Sequence, residues 1–76
     1  METYGVSISK GQVAAAIARM QRGPFTSRDI EAALADAGVE DRPMYPVVMR
    51  TADKILQRER RAGRIQFSEG RWVPNA

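Results

Sequence analysis

Residues 46–62 read Pro-Val-Val-Met-Arg-Thr-Ala-Asp-Lys-Ile-Leu-Gln-Arg-Glu-Arg-Arg-Ala, the longest stretch of the chain with a helical pattern. At about 100° per residue, the apolar side chains gather on one side of a helix: Val48, Met49, Ala52, Ile55, Leu56 and Ala62. Four cations form a stripe on the opposite side: Arg50, Lys54, Arg58 and Arg61. Because like charges at this spacing repel one another, the stripe favours an anionic partner, and a row of phosphates suits it best.

The composition of the chain limits its chemistry. The 76 residues include no cysteine and no histidine, which excludes disulfides, thiolate nucleophiles and the usual zinc sites and removes the commonest general base. No serine or threonine has a partnered base in view, and no glycine-rich phosphate loop is present. We therefore predict a single domain that is not an enzyme and needs no metal or cofactor.

The apolar pattern also bears on the location of the protein. No apolar run approaches the roughly 20 residues of a membrane span, and residues 1–10 lack the basic start and apolar stretch of a signal peptide. We expect a soluble, cytoplasmic protein that makes no membrane contact.

The basic residues are concentrated in the second half of the chain. Residues 1–41 carry four basic and six acidic residues, whereas residues 42–76 carry eight basic and three acidic residues. The net charge of +3 therefore arises entirely from the C-terminal half. Such asymmetry indicates a polyanionic partner.

The first of two shorter helices is predicted over residues 10–22. Ser9 and Gln12 have the spacing of a reciprocal capping box, and Gly23 followed by Pro24 ends the helix. One face repeats at helical spacing: Val13, Ala16, Ile17 and Met20.

The second short helix is predicted over residues 27–37. Thr26 suits the N-cap, and Phe25 and Ile30 are placed for a hydrophobic staple across it. Gly38 closes the helix.

The two ends of the chain favour extended structure. Residues 1–9 alternate and predict an arm or a short strand, and residues 64–73 predict a hairpin that turns at Glu69-Gly70. Pairing of Ser68 with Arg71 would place Phe67 opposite Trp72. The face formed by Ile65, Phe67 and Trp72 would then close over the helices, and residues 75–76 would be a tail.

The order helix, short crossing, helix, turn, basic helix and hairpin resembles the winged helix-turn-helix family. The resemblance covers residues 10–74 and is carried by residues 25–30, which open the second helix, and residues 62–65, which lead into the hairpin. It implies an α+β, mostly α fold: a three-helix bundle with a C-terminal β-hairpin wing. It also implies that helix 46–62 enters the DNA major groove and that the wing, residues 64–73, contacts the backbone or the minor groove.

Three features depart from the family pattern. The loop of residues 38–45 is longer than the three- or four-residue turn of simple helix-turn-helix proteins. Glu59 occupies a core-facing position where the family usually has an aliphatic residue. Because a buried unpaired carboxylate is costly, we expect Glu59 to pair with an arginine or to sit at an exposed helix end. Glu69 at the wing tip would be repelled by a phosphate.

The candidate DNA contacts on the helix form two groups, according to their position along it. Arg50 and Thr51 lie nearest the N-terminal end and are predicted to contact base edges. Lys54, Arg58 and Arg61 are predicted to contact phosphates. For all of these, a solvated helix face is the alternative.

Further candidates lie outside the helix. Arg42 and Tyr45 flank its start, and Arg64 and Arg71 would clamp a phosphate if they were neighbours across the hairpin. Loop packing and solvated strand positions are the respective alternatives.

Together these patterns predict a double-stranded DNA-binding protein, a small prokaryotic or phage transcriptional regulator associated with the nucleoid. Since a module of this size buries a limited area on DNA, we expect a homodimer, with Tyr4, Val6, Ile8 and the first helix as the candidate surface. Two alternatives remain open: a winged-helix protein-interaction adapter, or a DNA-binding module of a replication or packaging complex.

Overall fold

The computed structural model describes residues 1–75, which form three helices between two β-hairpins. The elements in order are β1 (Glu2–Thr3), β2 (Val6–Ser7), α1 (Lys10–Met20), α2 (Ser27–Asp36), α3 (Val47–Arg61), β3 (Ile65–Ser68) and β4 (Arg71–Pro74). The predicted fold class, a three-helix bundle with a C-terminal β-hairpin, is confirmed. Ala76, assigned above to the tail, lies outside the described residues.

The first two helices begin as their sequences predict. At α1, the Gln12 amide donates to the Ser9 hydroxyl at 3.1 Å, and the Ser9 amide donates to the Gln12 side chain at 2.9 Å. At α2, the Thr26 amide donates to the Asp29 carboxylate at 2.8 Å. These bonds satisfy backbone donors that the first helical turn leaves free.

The end of α3 is a glycine turn that fixes where the hairpin starts. Gly63 adopts a φ of +74°, which glycine reaches without steric cost. The Arg64 amide then donates to the Glu59 carbonyl, and the Gly63 amide to the Arg60 carbonyl, each at 3.0 Å. This pair of bonds is a Schellman motif.

The start of α3 differs slightly from the prediction. Pro46 precedes the helix instead of occupying its first position. The side chain of Asp41, from the preceding loop, accepts a hydrogen bond from the Val48 amide at 2.8 Å. The long loop therefore supplies the N-terminal cap of α3.

The first nine residues are part of the folded domain and not a loose arm. Residues 4 and 5 turn β1 back along β2, and Thr3 and Ile8 are buried. The core also contains side chains from all three helices and from β3: Ala16, Met20, Ile30, Leu34, Val47, Ala52, Ile55, Leu56 and Ile65. Because Ile8 packs in this core at 3% exposure, its proposed place on a dimer surface is corrected.

The C-terminal hairpin has the predicted register, with Ser68 opposite Arg71 and Phe67 opposite Trp72. Ile65 is buried, but Phe67 is 61% exposed, so the prediction that Phe67 closes over the helices is wrong. Phe67 lies about 7 Å farther along the strand than Ile65 and packs edge-to-face with Trp72, with ring centroids 5.2 Å apart.

A third extended segment joins the hairpin. The Phe25 amide donates to the Trp72 carbonyl, and the Trp72 amide donates to the Phe25 carbonyl, each at 2.9 Å. The short crossing between α1 and α2 thus pairs with β4 and ties the hairpin to the helical bundle.

Candidate nucleic-acid interface

The buried face of α3 is rotated from the predicted one. Its buried residues are Val47, Thr51, Ala52, Ile55, Leu56 and Glu59. Met49 and Ala62, both placed on the apolar side of the predicted helix, are exposed. On a 100° helical projection, the stripe of cations consequently runs along one edge of the exposed side and not along its centre.

Thr51 cannot contact a base, and its assignment to the interface is corrected. Its side chain is fully buried, and its hydroxyl donates to the Thr3 hydroxyl at 2.9 Å. This bond satisfies a polar group that would be costly to bury alone, and it joins α3 to β1. The spacing of Val47, Thr51 and Ile55 at intervals of four could have revealed this shared face.

Arg50 remains exposed but has a carboxylate partner. Its Nη1 lies 2.9 Å from Asp53 Oδ2, with both side chains about half exposed. A spacing of three residues brings the two side chains together, so one carboxylate lies beside the stripe. An exposed pair of this kind adds little stability, and one bond leaves Arg50 most of its five N–H donors.

The other three stripe residues differ in how firmly they are held. Lys54 donates from Nζ to the Glu2 carbonyl at 2.6 Å, an uncharged partner that leaves the ammonium charge available. Arg58 Nε lies 3.5 Å from a carboxylate oxygen of Glu59. Within residues 1–75, Arg61 has no carboxylate within salt-bridge distance.

Two further residues on the solvent-facing side of α3, Gln57 and Arg60, were not predicted as site residues from the sequence. Arg60 is exposed, and its Nε donates to the Gln57 side chain at 3.3 Å. Gln57 lies two helical turns after Arg50, so the i, i+7 spacing could have identified it. Glutamine amides can make two hydrogen bonds to adenine.

Glu59 is paired with an arginine, as predicted. Arg64 donates hydrogen bonds to both carboxylate oxygens of Glu59, from Nε at 2.9 Å and from Nη2 at 2.7 Å. The hydrogen bonds from Arg64 lower the pKa of Glu59 below 4.5, against the opposing effect of burial, and the positive charges of Arg64 and Arg58 lower it further. The pair connects α3 to the root of the C-terminal hairpin.

This pairing engages Arg64, although its side chain remains 59% exposed. The hairpin register places Arg71 opposite Ser68 at the turn, whereas the Arg64 carbonyl accepts from the Asn75 amide at the open end. The two arginines are therefore not neighbours, and the predicted phosphate clamp is wrong. Arg71 remains exposed.

Arg42 and Tyr45 form a tight turn beside the start of α3. The Arg42 amide donates to the Tyr45 carbonyl at 3.2 Å, and the Tyr45 amide donates back at 2.9 Å. The Tyr45 ring packs against Tyr4, with centroids 5.2 Å apart. Both members of the turn are exposed, and the turn directly precedes Pro46 at the start of α3.

Acid is expected to weaken the fold partly through Glu59. A carboxylate whose folded pKa is below its unfolded value stabilises the protein above the unfolded pKa, and that stability is lost as pH falls through the folded pKa. The ordinary pKa of a glutamate carboxyl is 4.5, so the loss should begin near this pH. Glu59→Gln should lower the free energy of unfolding by about 2 kcal/mol at neutral pH. In this variant the free energy of unfolding should also fall less steeply as the pH is lowered. Urea unfolding from pH 7 to about pH 3 measures both effects.

The matched control is Glu40→Gln, an exposed acid whose replacement should change the unfolding free energy by less than about 0.5 kcal/mol. Parallel pH profiles for wild type and Glu59→Gln would contradict the assigned role of the pair.

Comparison of the chain with protein-family models, with curated protein sequences and with solved structures gave no match. None of the helices in the described part of the chain is both long enough and apolar enough to cross a bilayer.

Proposed function

We propose that this protein binds double-stranded DNA through α3 and serves as a small prokaryotic or phage transcriptional regulator of the winged helix-turn-helix type. The supporting observation is the distribution of charge on α3. Of the two acids in the fully described helix Val47–Arg61, Glu59 is buried and only Asp53 is exposed. The other charged residues of the helix are the stripe cations and Arg60.

The dimensions of the helix fit this proposal. An α-helix with its side chains is about 10–12 Å across, and the major groove of B-DNA is about 12 Å wide. With α3 in the groove, the cations at its edge would reach the phosphates of one bordering strand. Arg50, near the helix N-terminus, would be the first to meet base edges.

A salt titration tests the proposal. With about four to six phosphates neutralised, the logarithm of duplex affinity should fall with the logarithm of salt concentration at a slope near −4 to −5. Fluorescence anisotropy with a labelled duplex of mixed sequence measures it. A flat salt response would refute DNA binding as the function, and sedimentation with and without the duplex would test the proposed homodimer.

A second candidate is a protein-docking module. It is favoured by exposed apolar side chains near the start of α3, where Met44 is 96%, Met49 58% and Tyr45 52% exposed, since contiguous apolar surface commonly marks an interaction site. A protein free of DNA on purification and unretained by heparin would favour this function.

A further inference from the structure

A shallow depression of about 290 Å³ lies at the N-terminal end of α3. Its walls are Tyr4, Pro46, Met49, Arg50 and Asp53. The first three offer apolar or aromatic surface, and the two charged residues are paired with each other at 2.9 Å. The depression therefore combines an apolar wall with an arginine that is hydrogen-bonded to a neighbouring carboxylate.

Three separate parts of the fold hold these walls in place. Tyr4 comes from the turn between β1 and β2 and packs against Tyr45 of the loop. The N-terminal hairpin is anchored to α3 by the bond between Thr51 and Thr3 and by that between Lys54 and the Glu2 carbonyl. The site is thus assembled by tertiary structure and is not simply a helix end.

We propose that this depression receives the C5-methyl group of a pyrimidine in the major groove, beside a guanine bound by Arg50. The proposal rests on the DNA-binding function above and deepens it. Thymine presents this methyl group in the major groove, and arginine can donate two hydrogen bonds to O6 and N7 of guanine. Asp53 is then a positioning residue that orients Arg50 and does not itself touch the base.

Charge distinguishes this occupant from an apolar protein segment. Arg50 belongs both to the depression and to the cationic stripe that continues through Lys54, Arg58 and Arg61. A ligand that spans both must present an apolar group next to a row of negative charges. A methylated pyrimidine in duplex DNA has both features.

The experiment begins with a duplex selected from a random-sequence library by the wild-type protein. Each thymine of the selected site is replaced in turn by deoxyuridine, which removes only the methyl group. At one position next to a guanine, binding should weaken about fourfold, the usual effect of losing one buried methyl contact. Competition anisotropy at fixed salt measures the ratio.

Matched variants test whether the depression is responsible for the difference in affinity between thymine and deoxyuridine. Met49→Ala should bring the thymine-to-deoxyuridine ratio close to one. Met44→Ala removes the same side chain from an exposed position outside the depression and should preserve the ratio. Asp53→Asn should reduce the preference for guanine at the neighbouring position and leave methyl discrimination intact. Comparing cytosine with 5-methylcytosine at the methyl position separates recognition of the methyl group from recognition of thymine.

The remaining outcomes separate this inference from the function on which it rests. Salt-dependent DNA binding without a consensus, or without methyl discrimination at any position, overturns the inference and leaves DNA binding intact. Failure to retain any duplex overturns both. Self-association that disappears in Met49→Ala assigns the depression to a second copy of the chain and overturns the inference.

Discussion

The triple variant Lys54→Ala/Arg58→Ala/Arg61→Ala is expected to bind duplex DNA at least about a hundredfold more weakly than the wild type near 0.1 M salt. Each cation that neutralises a phosphate releases close to one counterion, so losing three should make the logarithmic salt slope less steep by nearly three. The loss should be similar for all duplex sequences because phosphates carry no sequence information.

Two controls accompany this variant: one tests whether it is folded, and the other tests whether the position of the removed charge matters. Lys54 also binds the Glu2 carbonyl, so circular dichroism and urea unfolding must establish that the triple variant is folded. Arg61→Ala and Arg22→Ala remove the same charge from α3 and from the segment after α1. If these two single variants weaken binding equally, the effect reflects net charge and the assignment of the surface to α3 fails.

Phe25→Ala is expected to lower the free energy of unfolding by about 3–5 kcal/mol. The ring is 1% exposed, so its removal leaves a cavity among the helices. The backbone of the same residue pairs with Trp72, and a cavity here would loosen the hairpin as well. For a chain of 76 residues, whose total stability is roughly 0.05–0.15 kcal/mol per residue, this loss approaches the whole margin.

Phe67→Ala provides the matched control because it removes the same ring from a position that is 61% exposed. Its cost should be limited to about 0.5–1.5 kcal/mol, from the edge-to-face contact with Trp72. Urea unfolding followed by Trp72 fluorescence and by circular dichroism measures both variants. Similar losses would mean that the buried ring of Phe25 contributes no more to stability than the exposed ring of Phe67.

The sequence predicted the features of the fold that are set by nearby residues. Each helix boundary fell within two residues of the observed one, because capping pairs such as Ser9 with Gln12 and terminal glycines such as Gly63 act locally. The hairpin register was correct because the Glu69-Gly70 turn fixes which residues face each other. The expectation that Glu59 would pair with an arginine or sit at an exposed helix end followed from the cost of burying a lone carboxylate, and the first alternative is the one observed.

Features that depend on distant parts of the chain were not predicted. Thr51 was misassigned because its partner, Thr3, is 48 residues away. The Asp41 cap of α3 and the pairing of Phe25 with Trp72 likewise join separate segments. For the candidate site, composition identified α3 as the basic element, but only tertiary packing decides which of its side chains face outward.

The two attachments of the C-terminal hairpin have a consequence for recognition. The hairpin is secured at its root by Glu59 and Arg64 and along β4 by the backbone pairing of Phe25 with Trp72. It cannot pivot about Gly63 without breaking these bonds, so little conformational entropy remains to be lost there on association. In a complex with the proposed ligand, structural adaptation would fall mainly to the duplex, and base-pair steps that bend easily would gain an advantage even where no side chain reaches them.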